Sequence, residues 1–173
     1  MDNWFNRLVV QSNGRPFTLD EAERIAEFAE SLPDRLAAAK RLEESQKWLA
    51  KQLSDVVAPK AHNWGLPKDP FTNDFTQTLS AIAQAMLLDD TAMLDQSVIA
   101  PFNTLAEALD IPSDELGELY TIAWEALSRR LDPKSVTLFL PYFSYTARGL
   151  QASDFESMIE TPMPAFTTAA LTI

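Results

Sequence analysis

Residues 18–57 read TLDEAERIAEFAESLPDRLAAAKRLEESQKWLAKQLSDVV, and their spacing indicates helix. Thr18-Leu19-Asp20-Glu21 is a capping box, in which the Thr18 hydroxyl can accept from the N–H of Glu21 while the Glu21 carboxylate reaches back. Apolar residues then recur at steps of three and four, as in an amphipathic helix. They are Ile25, Phe28, Ala29, Leu32, Leu36, Ala39, Leu42, Leu49, Leu53 and Val56. Pro33 lacks an N–H and crowds the preceding turn, which predicts a kink or break and two helices, 18–31 and 33–57.

The chain repeats this helical signal as far as residue 150. Residues 59–70 are interrupted by proline and glycine, which predicts a loop that Trp64 anchors. Four further helices are expected at about 72–88, 92–109, 113–131 and 133–150. Ser113 and Asp132 are the predicted N-caps of the last two, and Pro141 predicts a kink. No segment alternates with period two for long enough to form a strand, so the predicted fold is all-α.

Length and composition restrict the class of protein. The 173 residues are 46% hydrophobic and include only 4 glycines, which fits one compact domain with a substantial core. A formal charge of −11 disfavours nucleic acid and anionic membrane surfaces as partners. No run approaches the roughly 18 apolar residues of a membrane span, so membrane insertion is not expected. The absence of cysteine excludes disulfides, thiolate nucleophiles and thioether-linked cofactors.

The sequence lacks the usual motifs for catalysis and metal binding. It has no glycine-rich phosphate loop, no metal-ligand cluster and no GxSxG turn, so the chain is not expected to be an enzyme. The acidic pairs Glu43-Glu44 and Asp89-Asp90 are interpreted as solvated faces and helix ends. The single histidine, His62, has no carboxylate, serine or second histidine at a triad or metal spacing, and is interpreted as a surface or loop residue.

Residues 151–173 differ in character from residues 1–150, which form the predicted domain. They show neither helical amphipathicity nor caps, so an extended tail is expected. The tail is too apolar for a purely solvated linker, with Phe155, Met158, Ile159, Met163 and Phe166. It is expected either to pack back on the helices or to dock into a partner, and a disordered end is the other alternative.

Several residue strings, in a fixed order and spacing, resemble those of one family. They are Ser12–Arg15, the alanine-rich Leu36–Leu42, Leu87–Asp95, Val98–Ala100, Leu109–Ser113 and Pro133–Leu150. Over about residues 5–150 the chain resembles the phycobiliproteins, the α and β subunits of phycocyanin and allophycocyanin in cyanobacterial and red-algal light-harvesting antennae. The resemblance implies a globin-like helical domain with a short N-terminal helical extension.

Most chromophore-binding positions of that family are replaced in this chain. Family members open the chromophore helix with cysteine, any residue, arginine and aspartate. The cysteine forms a thioether to the bilin, the arginine pairs with a propionate, and the aspartate binds the pyrrole nitrogens. Counted back from Leu94-Asp95, these positions fall on Phe71, Asn73 and Asp74, so only the aspartate is kept. A second arginine position falls on Ser80, and aromatic positions fall on Glu115 and Leu116. Covalent attachment of bilin is therefore excluded, and no cofactor is expected.

Asp74 is the one candidate cofactor-binding residue, and only for a noncovalent bilin. A carboxylate in the first turn of a helix is also favoured by the helix macrodipole, with or without a ligand. Without the thiol and both arginines, a bound tetrapyrrole would leave its two propionates unpaired near an apolar pocket.

The resemblance also implies an interface. The N-terminal helices of family members form the pairing surface between subunits, which implies that role for Trp4, Phe5, Leu8 and Val9. Such a short amphipathic helix cannot bury its aromatic face alone, so it must dock on its own body or on a partner. The leading hypothesis is a chromophore-free, phycobiliprotein-like interaction protein. It would act in assembly, attachment, turnover or regulation of the phycobilisome or the photosystems. Its expected partners are their subunits or a second copy, and its expected location is cytoplasmic, including the thylakoid periphery.

Two alternatives stay open at this point. The first is a noncovalent tetrapyrrole-binding or sensor protein, which a water-accessible cleft lined by Asp74 would favour, whereas Phe71 filling that pocket would favour the interaction protein. The second is a stress-sensing globin-like domain without haem, because the predicted loop position of His62 is unsuitable for a proximal ligand.

Overall fold

The fold consists entirely of helices in the part of the chain that the computed structural model describes, residues 4–63 and 68–150. The α-helices are α1 (Trp4–Ser12), α2 (Leu19–Asn63), α3 (Lys68–Leu88), α4 (Ala92–Leu94), α5 (Ala100–Ala108), α6 (Ser113–Arg130) and α7 (Pro133–Gly149). A π-helical segment, Asp95–Ile99, joins α4 to α5. The all-α prediction is confirmed. The division into a domain and a tail stays a prediction.

The prediction of a break at Pro33 and of a loop over residues 59–70 is wrong. Helix α2 continues from Leu19 to Asn63 through both Pro33 and Pro59. Pro33 and Ala29, four residues earlier, are exposed, so water can take up the hydrogen bond that Pro33 does not donate. Pro70 lies in the first turn of α3, where backbone N–H groups have no intrahelical acceptor. Trp64, the predicted anchor, lies outside the described residues.

The helix ends follow local sequence at most boundaries. Both bonds of the predicted capping box form, with Thr18 N donating to Glu21 Oε2 at 2.8 Å and Glu21 N donating to Thr18 Oγ1 at 3.3 Å. Asp132 is the N-cap of α7 and accepts from the N–H of Ser135 at 3.2 Å. The predicted N-cap at Ser113 is wrong, because Ser113 is already helical and Pro112 holds the N-cap position in an extended conformation.

The prediction of one continuous α-helix over residues 92–109 is also wrong. The second turn of this stretch is π-helical, and two contacts with α7 hold that turn in place. The Tyr145 hydroxyl donates to both carboxylate oxygens of Asp95 at 3.0 Å. A Cβ added to Gly149 would lie 2.4 Å from Ile99 Cδ1, so any larger residue at this position would force the Ile99 side chain to move. The segment is therefore shaped by residues about fifty positions further along the chain.

The core lies where α2, α3, α6 and α7 meet. Its largest fully buried side chains are Leu42, Leu49, Leu79, Ile82, Met86, Leu94, Leu127, Phe139, Phe143 and Leu150. Tyr120 and Trp124 of α6 pack on the ring of Phe143 with centroids 6.1 and 5.2 Å apart. This arrangement leaves one face of α3 open toward the π-helical segment and α5.

Candidate functional site

A groove runs along α3 on the side that faces the π-helical segment and α5. We call it the α3 groove. Its first part has a cavity volume of about 200 Å³ and is lined by Asp74, Gln77, Thr78, Ser97, Val98, Pro101, Phe102 and Leu105. Its second part, of about 310 Å³, shares Gln77 and Ser97 and adds Thr76, Ser80, Ala81, Gln84 and Met93. The lining residues that belong to α3 recur at spacings of three and four, which place them on one face of that helix.

The groove is polar but nearly uncharged. Asp74 is the only charged residue among its described lining, and its side chain is exposed. The hydroxyls bond to their own helices, since Thr78 Oγ1 donates to Asp74 O at 3.0 Å and Ser97 Oγ donates to Met93 O at 2.7 Å. Val98, Pro101, Phe102 and Leu105 form an apolar wall opposite. The described lining contains no arginine or lysine that could pair with an anionic ligand.

The structure places Asp74 and Ser80 on this groove. Ser80 Oγ accepts from Gln46 Nε2 at 3.0 Å and donates to Thr76 O at 3.0 Å, so the family's second arginine position here joins α2 to α3. The side chains of Phe71, Asn73, Glu115 and Leu116 lie outside the described residues, as does that of His62. Sequence reasoning missed Gln77 and Ser97, although the helical spacing of Gln77 from Asp74 was a usable signal.

Helix α1 divides the four predicted interface residues into two pairs. Trp4 and Leu8 are 6% and 8% exposed. The Trp4 ring meets the edge of Phe28 in α2 at 5.3 Å, and the Arg24 guanidinium lies 4.8 Å from its centroid. Phe5 and Val9, by contrast, are 42% and 44% exposed. One side of α1 thus packs on its own chain, and the other side presents apolar surface.

A polar cluster that the sequence did not predict ties three helices together. Arg35 of α2 donates to the carbonyl of Met86, to Tyr142 Oη at 3.1 Å and to Asp89 Oδ1 at 3.2 Å. Tyr142 of α7 also donates to Asp89 Oδ1. Burial, together with the Asp89 carboxylate, raises the pKa of Tyr142 to about 12, so its hydroxyl stays protonated as a donor. Asp89 reaches this position because it ends α3 in the left-handed region, with φ of 52°.

A family model described as phycobilisome protein matches residues 9–150. The chain belongs to this family. Comparison with curated proteins gives no match. The family accounts for the globin-like all-α fold that the sequence predicted.

Pigmented members of the family attach a bilin covalently. The residues of this chain do not fit such a group. The chain has no cysteine, and the described lining of the α3 groove offers one carboxylate and no cation.

Two further classes of site are absent from the described part of the chain. Within residues 4–63 and 68–150, no group of three or more histidine, cysteine or acidic side chains is placed to hold a metal ion. Across the same ranges, no helix is both long enough and apolar enough to cross a membrane.

Proposed function

We propose that this chain is a chromophore-free, phycobiliprotein-like interaction protein and not an enzyme. It would act in assembly, attachment, turnover or regulation of the phycobilisome or the photosystems. The observation that carries the proposal is the chemistry of the α3 groove, which keeps one carboxylate but lacks a thiol and a described cation. A family member that cannot attach the pigment retains the other use of the architecture, which is binding to other subunits.

The exposed side of α1 supports a surface for that binding. Phe5 and Val9 lie four residues apart on one side of the helix. Because Trp4 and Leu8 are buried against the chain, the side that carries Phe5 and Val9 faces outward. Aromatic side chains held on a rigid element are typical anchors of protein interfaces. Phycobilisome subunits, photosystem proteins and a second copy of the chain are the proposed partners, met in the cytoplasm or at the thylakoid periphery.

Binding of the purified chain to isolated phycobilisomes and to detergent-solubilised photosystems tests this proposal. We expect wild-type chain to bind at least one of them. The double variant Phe5→Ser, Val9→Ser should bind roughly thirtyfold more weakly, since buried interface anchors contribute about 2 kcal/mol. Its melting temperature should stay close to that of wild type, because both side chains are partly exposed.

Leu36→Ser is the matched control, because Leu36 is an exposed leucine of α2 outside α1. It should bind like wild type. Absence of wild-type binding to both complexes would overturn the proposed function. Equal binding by the double variant and wild type would instead show that the interface lies outside α1.

The alternative function is noncovalent tetrapyrrole binding or sensing. The observation in its favour is that Asp74 lines an open groove rather than packing in the core. This function requires a native absorbance that depends on Asp74 and disappears on denaturation.

A further inference from the structure

We propose that residues 161–173 of the same chain occupy the α3 groove. This inference concerns the groove and not the surface of α1, so it does not rest on the proposed function.

The groove has the surface chemistry of a site for an uncharged peptide. Gln77 and Gln84 present amides, which can both donate and accept, as a peptide backbone requires. Phe102 and Leu105 offer apolar contact on the opposite wall, and Leu105 is 38% exposed. An anionic ligand finds no described cation here, whereas a backbone with apolar side chains needs none.

The described chain ends beside this groove. Asn103 of α5 donates from Nδ2 to the carbonyl of Gly149 at 3.0 Å, and Ile99 packs directly on Gly149. Leu150 is buried, so the last described residue is held firmly against the body. Ile99 and Asn103 form one stripe of the helix, and the groove-lining Val98 and Phe102 form the adjacent stripe. The tail therefore starts within about one helix width of the groove.

The composition of the tail divides it into a spacer and a segment that matches the groove. Residues 151–160 carry Asp154, Glu156 and Glu160, whereas residues 161–173 have no charged side chain. The carboxylate of Asp74 disfavours the acidic spacer inside the groove and has no such effect on the uncharged segment. That segment supplies the apolar side chains Met163, Phe166, Leu171 and Ile173.

Length and tethering favour the chain's own tail over another molecule. The ten residues 151–160 can extend over about 33 Å, whereas a helix with its side chains is about 10–12 Å across. A segment joined to its site by a short covalent tether has an effective concentration in the millimolar range. Even a weak fit to the groove would then keep it filled.

Because the chain has no cysteine, introduced cysteines test the proposal in the 173-residue chain. Leu105→Cys is combined in turn with Met163→Cys, Phe166→Cys or Leu171→Cys, and each double variant is oxidised mildly. Leu88→Cys is the matched control on the body, since Leu88 is a leucine of nearly equal exposure, 39% against 38% for Leu105, and lies outside the lining of the groove at the end of α3. Circular dichroism confirms that every variant is helical.

We expect at least one Leu105→Cys pair to form an intramolecular disulfide roughly tenfold faster than its Leu88→Cys counterpart, because a docked segment holds the two sulfurs within bonding distance. The rate should not change on dilution. Equal rates for the two body positions would overturn the proposal, and so would disulfides formed only between chains, which would assign the groove to a second copy.

A second measurement needs no disulfide. In the single variants of the 173-residue chain, the thiol of Leu105→Cys should react with an alkylating reagent about fivefold more slowly than that of Leu88→Cys, because a segment docked most of the time shields it. Adding Met163→Asp and Phe166→Asp should remove that protection, while leaving the rate at Leu88→Cys unchanged. Protection that persists in the charged variants would show that something other than this segment covers Leu105.

Discussion

At the scale of single residues, Glu21 shows how one carboxylate can organise a chain reversal. It accepts from the N–H of Thr18 at 2.8 Å and from both terminal nitrogens of Arg15 at 2.7 Å. These bonds favour the ionised form, and the pKa of Glu21 falls to about 2, with the Arg15 hydrogen bonds as the first cause. The capping box was visible in the sequence, but the contribution of Arg15 depends on the turn at Asn13 and Gly14, both at positive φ.

The depressed pKa of Glu21 gives a pH prediction. A carboxylate whose pKa is lower in the folded state stabilises that state above its unfolded pKa, and this contribution is lost as pH falls through the folded value. The difference in unfolding free energy between wild type and Glu21→Gln should therefore be constant above about pH 5 and shrink between about pH 4 and 2.

Urea denaturation at several pH values measures this difference. Glu23→Gln is the control, because Glu23 is an exposed carboxylate of the same helix. A difference between wild type and Glu21→Gln that does not change with pH would contradict the assignment.

At the scale of helices, the joint between α2, α3 and α7 depends on polar contacts as well as apolar packing. Arg35 lies two residues after Pro33, and also donates from Nε to Ser31 Oγ at 2.9 Å. Its bonds to Met86, Asp89 and Tyr142 fix the first half of α2 against the other two helices. A nearby pair, Lys134 Nζ to Asp34 Oδ2 at 2.7 Å, also links α2 to α7 but is exposed to solvent.

These two links should differ in strength. Arg35→Leu removes donors from a largely buried cluster and should cost about 2 kcal/mol, or roughly 4–8 °C in melting temperature for a chain of this size. Lys134→Met removes an exposed ion pair and should cost less than about 1 kcal/mol. Thermal unfolding followed by circular dichroism measures both variants. Equal losses would mean that the Arg35 cluster does not stabilise the joint more than a surface pair does.

At the scale of the whole molecule, the replacements along α3 predict that the protein does not attach bilin covalently. With no cysteine in the chain, protein coexpressed with bilin-synthesising enzymes should lose all visible absorbance after acid denaturation and desalting. Absorption spectra before and after denaturation measure this. Colour that survives denaturation would contradict the chromophore-free assignment.

Asp74→Asn separates the remaining outcomes of the same experiment. Absorbance seen only in the native protein, and absent from Asp74→Asn, would favour the noncovalent tetrapyrrole function. The expected first-turn position of Asp74 is wrong, because α3 begins at Lys68 and Asp74 is its seventh residue. The helix macrodipole acts on it only weakly there, so Asp74→Asn should lower stability by less than about 1 kcal/mol. Substitution of Ser80 would not test pigment binding, because its hydroxyl forms hydrogen bonds with Gln46 and Thr76 whether or not a pigment is present.

Residue spacing was enough to obtain the helical class, most helix boundaries and the loss of covalent pigment attachment. The capping box at Thr18 and the N-cap at Asp132 involve residues three positions apart, so their bonds form wherever the local chain is helical. The sequence also showed that a bilin cannot be attached covalently, because the absence of cysteine is a property of composition alone.

Contacts between residues far apart in the chain account for what spacing could not provide. Pro33 stays within a helix because its exposed position lets water satisfy the backbone, and tertiary contacts made two residues later hold that turn. The π-helical turn depends on Gly149 and Tyr145, about fifty residues away. The burial of Trp4 and exposure of Phe5 follow from where Phe28 meets α1. Periodicity indicates that a helix has an apolar face, whereas the partner that covers each residue of that face depends on how the helices pack.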